Sequence, residues 1–585
     1  MTVLLLSLSL LGCTPQPSFA PVSRGTVVLG AGWSAQPWED PPLNTASLST
    51  ATQLRLPAGM AGAGSELRLD GAWWTVEATV NGTAASATGG IAPTWVDLGG
   101  ALVDGENTLS LQVSPPAPNT STLETGGSLS SAARSPRGAQ LLAAPILLLQ
   151  PAQHVSYATL GATGSGLHPR AVTEDAPEGA TVHFKAVLDG KVLADLGTAP
   201  VVAGTAQATE APFPTDAWGI GAGSLFWLVA ELRGADGAVL DRWAGRTGAR
   251  QAQPSDSGGL QIGDQAGPLM GARMVNEGDM DFFRERLQGY AAAGVNALEV
   301  HGEQLRPDYL GAADELGLPV VVVPRCIGRS GRNRNVNRST LAATYAAQDA
   351  RMARALAEHP SVVLLAVEGP TGGARLHSDA LLSGPLDGSR LPVAGSEPRV
   401  SFDVPARVVN ISGGVTLATL QTTCMPKRCE RAWMVEMTAH WNRNRSGRPS
   451  DQWALCAAAF SSHLDGGSPG GIIPTPNQRD EAGWSAAWGS LAASRGLPQV
   501  PGSGRGDATV TVTGLTPGEV VWLEAPLLNP TGAIADSSGA ASLSLYHAGP
   551  ATVRAGARSA AVTLTPGRWE DFAWLPQTAT VALTP

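Results

Sequence analysis

Lysine is nearly absent from this chain of 585 residues. Only Lys185, Lys191 and Lys427 occur, and every other basic residue is arginine. With the excess of Ala and Gly, that bias reads as drift in a GC-rich coding sequence, so each arginine carries less functional weight than usual. Positive charge is short overall, with 39 basic against 49 acidic residues and a net charge of −10. Phosphate backbones need concentrated positive charge, so a nucleic-acid partner is not expected. Long apolar runs are missing too. The run Val3–Leu11 is far below the roughly 20 residues that span a bilayer, and no later segment reads as transmembrane. Low complexity is excluded, because 70 Gly and 44 Pro stay below the roughly 25–30% share that marks it. What remains is 43% hydrophobic residues, enough for several cores.

Cysteine is scarce, at five. The first, Cys13, closes Leu10-Leu11-Gly12-Cys13 behind the short apolar run. That pattern resembles a bacterial lipoprotein signal, although Met1-Thr2 lacks the usual positive charge. It implies a signal over residues 1–12, lipidation at Cys13, a linker over 13–24, and an outer-membrane lipoprotein facing periplasm or cell surface. The membrane is then met through the lipid alone. Cys424 and Cys429 flank Met425-Pro426-Lys427-Arg428, which allows a local disulfide in an oxidising compartment. No His or second Cys pair lies near them in sequence, so neither a metal nor another cofactor is expected.

Residues 25–152 alternate short apolar runs with Gly, Pro, Asn and Asp. Glu66–Leu69 and Thr108–Val113 have the period of two of half-buried strands, so an all-β sandwich is expected. A second sandwich is expected over 153–250, and a third β unit over 505–585. Residues 256–500 differ. Asp281–Ala293, Leu341–Glu358 and Asp451–Leu464 carry helical periodicity. Between them lie buried-type strands at Ala297–Val300, Pro319–Val323, Val362–Val367, Arg407–Ile411 and Ala432–Met437. Strand alternating with helix predicts parallel βαβ units, over a span close to the ~250 residues of a (β/α)8 TIM barrel. No Gly-rich loop follows the first strand, which argues against a dinucleotide fold.

Several local stretches, in this order, resemble glycoside hydrolase family 2. Val80-Asn81-Gly82 and Asp104-Gly105-Glu106-Asn107-Thr108-Leu109 are similar to the "V-N-G" and "G-x-N-x-L" turns of its galactose-binding-like jelly roll. Asp241 with Thr247-Gly248-Ala249-Arg250 is similar to the end of its immunoglobulin-like domain. Gly294–Leu298, Ala313–Val320 and Glu358–Val363 resemble the second, third and fourth barrel strands with their lead-ins. The resemblance implies a jelly roll (25–152), an immunoglobulin-like sandwich (153–250), a TIM barrel (256–500) and a C-terminal β-sandwich (505–585). It also implies a retaining β-glycosidase acting on glycans, with one Glu after the seventh barrel strand as nucleophile and another after the fourth as acid/base.

Glu436, at the end of the apolar stretch Ala432–Met437, matches the nucleophile position. The acid/base position falls on Pro370, and the carboxylate in that stretch is Glu368, two residues early. Two residues along a strand are about 6.6 Å, so Glu368 is expected one layer deeper than the usual acid. On the second strand the family's arginine is replaced by Glu299, which would raise rather than lower the pKa of a neighbouring carboxyl. His301, His440 and Trp441 are further candidates to line the pocket with Glu299. Arg325 and Arg329 open a basic loop that continues through Arg332, Arg334 and Arg338, and Arg443, Arg445 and Arg448 form another. Arginine forks on one face suit an anionic glycan. Two readings follow. One is an anchored glycosidase using Glu436 and Glu368. The other is a catalytically inactive carbohydrate-binding or scaffold protein that keeps the fold as a pseudoenzyme. The tripeptide Arg505-Gly506-Asp507 lies in a Gly-rich stretch and reads as chance rather than as an adhesion motif.

Overall fold

The computed structural model describes residues 24–29, 48–114 and 145–323 with short breaks, and 481–583. Between 324 and 480 it describes 351, 354–356, 358–367, 393–395, 408–411, 434–438 and 471–475. The described chain is β-rich and multidomain.

In the first unit, Leu48–Leu56, Gly105–Ser114, Thr75–Val80 and Thr83–Thr88 pair in that order as an antiparallel sheet. Alternate positions turn inward, burying Val76, Ala78, Val80, Leu109 and Leu111 against Leu67, Leu69, Leu147 and Leu149 of the facing sheet. The turn Asn81-Gly82 has positive φ at both residues (50° and 87°), the conformation that two-residue hairpins need and Asn-Gly supplies. Asn81 also joins the two motifs at 80–82 and 104–109. Its Nδ2 donates to Asn107 Oδ1 at 2.8 Å, and its Oδ1 accepts from the Thr108 amide at 2.9 Å. Buried Asn107 in turn donates to the Val103 carbonyl at 2.7 Å.

The facing sheet does not stop at the first unit. Gly25–Val28 pairs with Ile146–Gln150 on one side and runs parallel to Thr531–Ile534 on the other. The result is one eight-stranded sheet shared by the first and last β units. Val520, Trp522 and Ile534 accordingly belong to the core of the first unit. The second unit packs a three-stranded and a four-stranded sheet around Phe184, Phe226 and Leu232. It lends Val187 and Val229 to the core of the C-terminal unit.

The third unit contains an eight-stranded, all-parallel sheet. Its strands in chain order are β1 (Leu269–Arg273), β2 (Ala297–His301), β3 (Val320–Val323), β4 (Val362–Val367), β5 (Val393–Gly395), β6 (Val408–Ile411), β7 (Met434–Thr438) and β8 (Gly471–Thr475). They lie in the order β5-β4-β3-β2-β1-β8-β7-β6, and the outer strands β5 and β6 approach within 8 Å between Cα atoms. Val-rich runs such as Val320–Val323 suit strands covered on both faces. The cover includes α1 (Met280–Ala292), α2 (Pro307–Leu316) and α3 (Glu481–Arg495). Helix α1 falls within a residue of expectation. Of the helix expected over 341–358, residues 351 and 354–356 are helical and 358 is a turn among the described residues, and the helix expected over 451–464 lies outside the described residues.

The family-like motifs of this unit act as fasteners. Asp314 Oδ1 accepts from the Ser361 amide at 2.9 Å, and its Oδ2 lies 2.7 Å from His359 Nδ1. Arg250 donates to the carbonyls of His359 and Val362, clamping the end of the second unit onto the lead-in of β4. Asp241, fully buried, accepts from Arg24 at 2.9 Å and from the Val155 amide at 2.8 Å.

Candidate active site

Parallel strands of one sheet end together, so their C-terminal ends form a common rim. Glu436 is the third residue of β7. Its backbone is in register with Asn410 of β6 and Ile473 of β8. Glu299 is the third residue of β2, in register with Arg273 of β1 and Val321 of β3. Only 2% of Glu299 is exposed, and its carbonyl accepts from the Met274 amide at 2.9 Å. His301 closes β2 opposite Val323. The ladders run β7–β8–β1–β2, so Glu436 and Glu299 stand three strand steps apart. At about 4.8 Å per step that is roughly 14 Å along the sheet.

Glu368 follows Val367, which is still paired with Gly395 at the end of β4. Glu368 itself, His440, Trp441, Arg325, Arg329 and Cys13 lie outside the described residues, as do Cys424 and Cys429. The structure thus places Glu299, His301 and Glu436 on strands of one sheet. It also adds two polar residues that the sequence reading passed over. Asn410 interrupts the apolar run Val408–Ile411 and sits beside Glu436 in register. Arg273 ends β1 beside Glu299. The signal for Asn410 was a lone amide in an apolar strand, whereas that for Arg273 required the register. Among the described residues, no group of three His, Cys, Asp or Glu is placed to hold a metal ion. No helix among them is long and apolar enough to cross a membrane.

No family model matches the sequence, and no curated protein resembles it at sequence level. Solved structures do resemble the fold. A glycoside hydrolase family 2 β-galacturonidase from Eisenbergiella tayi, bound to galacturonate, superposes with a TM-score of 0.61 at 15% identity, over 82% of this chain and 98% of that one. The fold is that of glycoside hydrolase family 2. A β-glucuronidase from Bacteroides uniformis shares this family 2 fold with a TM-score of 0.59 at 13% identity, over 96% of this chain and 81% of its own. So does a putative β-galactosidase from Bacteroides fragilis, with a TM-score of 0.58 at 12% identity, over 95% and 99%. At these identities the likeness concerns the path of the backbone. The family 2 fold accounts for the order of sandwiches and parallel sheet, and it leaves the chemistry of the rim to this chain's own residues.

Proposed function

We propose that the parallel sheet closes into a (β/α)8 barrel and that its rim binds and cleaves a β-linked acidic glycan, with Glu436 as nucleophile and Glu368 as proton donor. Closure is supported by the pairing of β1 with both β2 and β8, and by the approach of β5 to β6. In an eight-stranded cylinder, strands three steps apart face each other across the lumen. The backbone of β7 and the end of β4 then stand on facing walls, and a retaining glycosidase works with two acids ~5–5.5 Å apart. The single observation that carries the proposal is the place of Glu436. It is an acid set in the ladder of an apolar strand, in a fold whose solved neighbours include a galacturonidase and a glucuronidase. The acidic substrate class rests on those neighbours and on the arginines at 325–338 and 443–448.

A specific observation favours binding without cleavage as the second reading. Glu299 stands buried on β2 where the resemblance implies an arginine, so the cation that would help keep Glu436 ionised is not supplied from that strand. Chromogenic β-uronides and neutral β-glycosides, tested with the intact chain and with Glu436→Gln, separate the readings. Turnover of uronides that falls at least about 10³-fold in the variant, with binding retained, supports cleavage. Uronide binding that falls with rising salt, without turnover, supports the second reading. Neither turnover nor binding overturns both.

A further inference from the structure

The eight-stranded sheet shared by the first and last units ends on Arg558–Leu564, and among the described residues no strand pairs with its outer side. This edge is seven residues long, and its ladder with Gly549–Ala555 runs without a register shift. Ala560, Val562 and Leu564 pack on the core of the C-terminal unit, while Ser559, Ala561 and Thr563 are exposed. Pro550 fixes which main-chain groups are unused. It stands opposite Thr563, has no N–H to give, and its carbonyl lies 3.3 Å from His547 Nε2. Pro550 and Thr563 are therefore a non-hydrogen-bonded pair. Alternation along the ladder then leaves the N–H and C=O of Ser559, Ala561 and Thr563 pointing away from the sheet.

Open edges invite pairing with other chains, and proteins blunt them with charge, proline, bulges or a cover. Two other edges are blunted in this way. Lys191–Pro200, at the edge of the four-stranded sheet of the second unit, carries Lys191 and Asp195 and is broken by two register shifts. Thr94–Asp97, at the far edge of the shared sheet, is four residues long. It is met by Arg354 of the third unit, which stacks on Trp95 at 4.5 Å and binds Glu66. Arg558–Leu564 has none of these devices. Its one charge, Arg558, is held by Glu519 and by the Gly514 carbonyl at 2.7 Å. Arg554 on the next strand is paired with Glu524 at 3.0 Å. The edge of the facing sheet, Thr578–Ala582, also lacks charge and approaches Arg558–Leu564 within 8 Å between Cα atoms.

We propose that two copies of this chain join edge to edge and antiparallel through Arg558–Leu564, with the two-fold axis at Ala561. In that register Ser559 meets Thr563 of the second copy, Ala561 meets Ala561, and Thr563 meets Ser559. These are the positions with outward main-chain groups, so the joint closes with about six hydrogen bonds. Ala560 stands opposite Val562 and Arg558 opposite Leu564, so no like charges face each other. The segment is thus complementary to itself about Ala561, which favours a second copy over an unrelated extended peptide. Two copies of net charge −10 repel each other, and this edge lets them meet without bringing unpaired charges together.

Sedimentation velocity of the intact chain over about a hundredfold range of concentration tests this, and a reversible monomer–dimer equilibrium is expected. Ala561→Lys sets like charges opposite each other at the axis and should weaken the dimer at least about tenfold. Ala561→Pro removes only an outward N–H, which an edge strand tolerates, and should do the same. If Ala561→Pro does not fold, Ala561→Lys carries the expectation alone, since that side chain is exposed. Val202→Lys, at an exposed position of the second unit, should leave the equilibrium unchanged. Hydrogen exchange of segment 558–564 should slow on assembly. The proposal is overturned by a monomer at every concentration, or by a dimer that Ala561→Lys leaves intact. It is equally overturned by as large a loss with Val202→Lys, or by exchange at 558–564 that assembly does not change. None of these outcomes depends on glycan cleavage.

Discussion

At the scale of single residues, Glu231 shows how this chain tolerates charge on a sheet. It lies mid-strand in the second unit, 4% exposed at the side chain, and Lys185, Arg233 and Arg242 bind it at 2.6–3.1 Å. Burial alone would raise its pKa, but Arg233 and Lys185 outweigh burial and hold it at about 2. A carboxyl depressed in the folded state stabilises above its ordinary range near 4.5 and loses that contribution as pH falls toward 2. Glu231→Gln should therefore cost about 2 kcal/mol at pH 7 by denaturant unfolding, less than a fully dry ion pair because the cations reach water. The deficit relative to the unmodified chain should shrink below pH 4. The same scale shows what was legible in the sequence. Glu436 stood out because a charge in an apolar run needs a reason. Arg273 and Asn410 did not, because their meaning lies in which residue stands on the next strand, and register is set by contacts remote in sequence.

At the scale of elements, helix-to-strand joints carry the strictest local demands. Gly294 ends α1 with φ +71°, and a Cβ there would lie 2.3 Å from the Cβ of Ala492 on α3. Gly294→Ala combines left-handed backbone strain with a clash between helices, and should cost about 2–4 kcal/mol in thermal or denaturant unfolding. The runs that became β2, β3, β4, β6 and β7 were readable because each is mostly apolar and free of Gly and Pro. By contrast β1, β5 and β8 are three to five residues long and contain Gly or Pro, as in Leu269-Met270-Gly271-Ala272-Arg273 and Gly471-Ile472-Ile473-Pro474-Thr475. Local pattern cannot distinguish such pieces from loops, and only the neighbouring strands recruit them. The family-like motifs were visible for a different reason. Asn81 with Asn107, and Asp314 with His359 and Ser361, are fastening contacts that need specific side chains rather than merely apolar ones.

At the scale of the molecule, the shared sheet makes the first and last units mechanically one. Thr26 donates its amide to the Pro530 carbonyl at 3.1 Å and is in register with Thr531 and Leu148. Thr26→Pro removes that donor from a central strand. Both β units should then lose protection together, seen as simultaneous cleavage near residues 60 and 530 in limited proteolysis while Thr181–Leu188 stays intact. Separate loss of either unit alone would mean that the sheet is not a cooperative element. The joint was not visible in the sequence, since strand pairing across the length of a chain leaves no mark on the spacing of apolar residues.

That joint also sets an order of assembly. Residues 25–28 emerge from the ribosome well ahead of their parallel partner at 531–534. The second unit closes within contiguous sequence and needs no such wait. Until that partner is made the N-terminal sheet has an open edge, a surface that invites pairing with other nascent chains. A cell making this protein must shield that edge until residues 531–534 arrive.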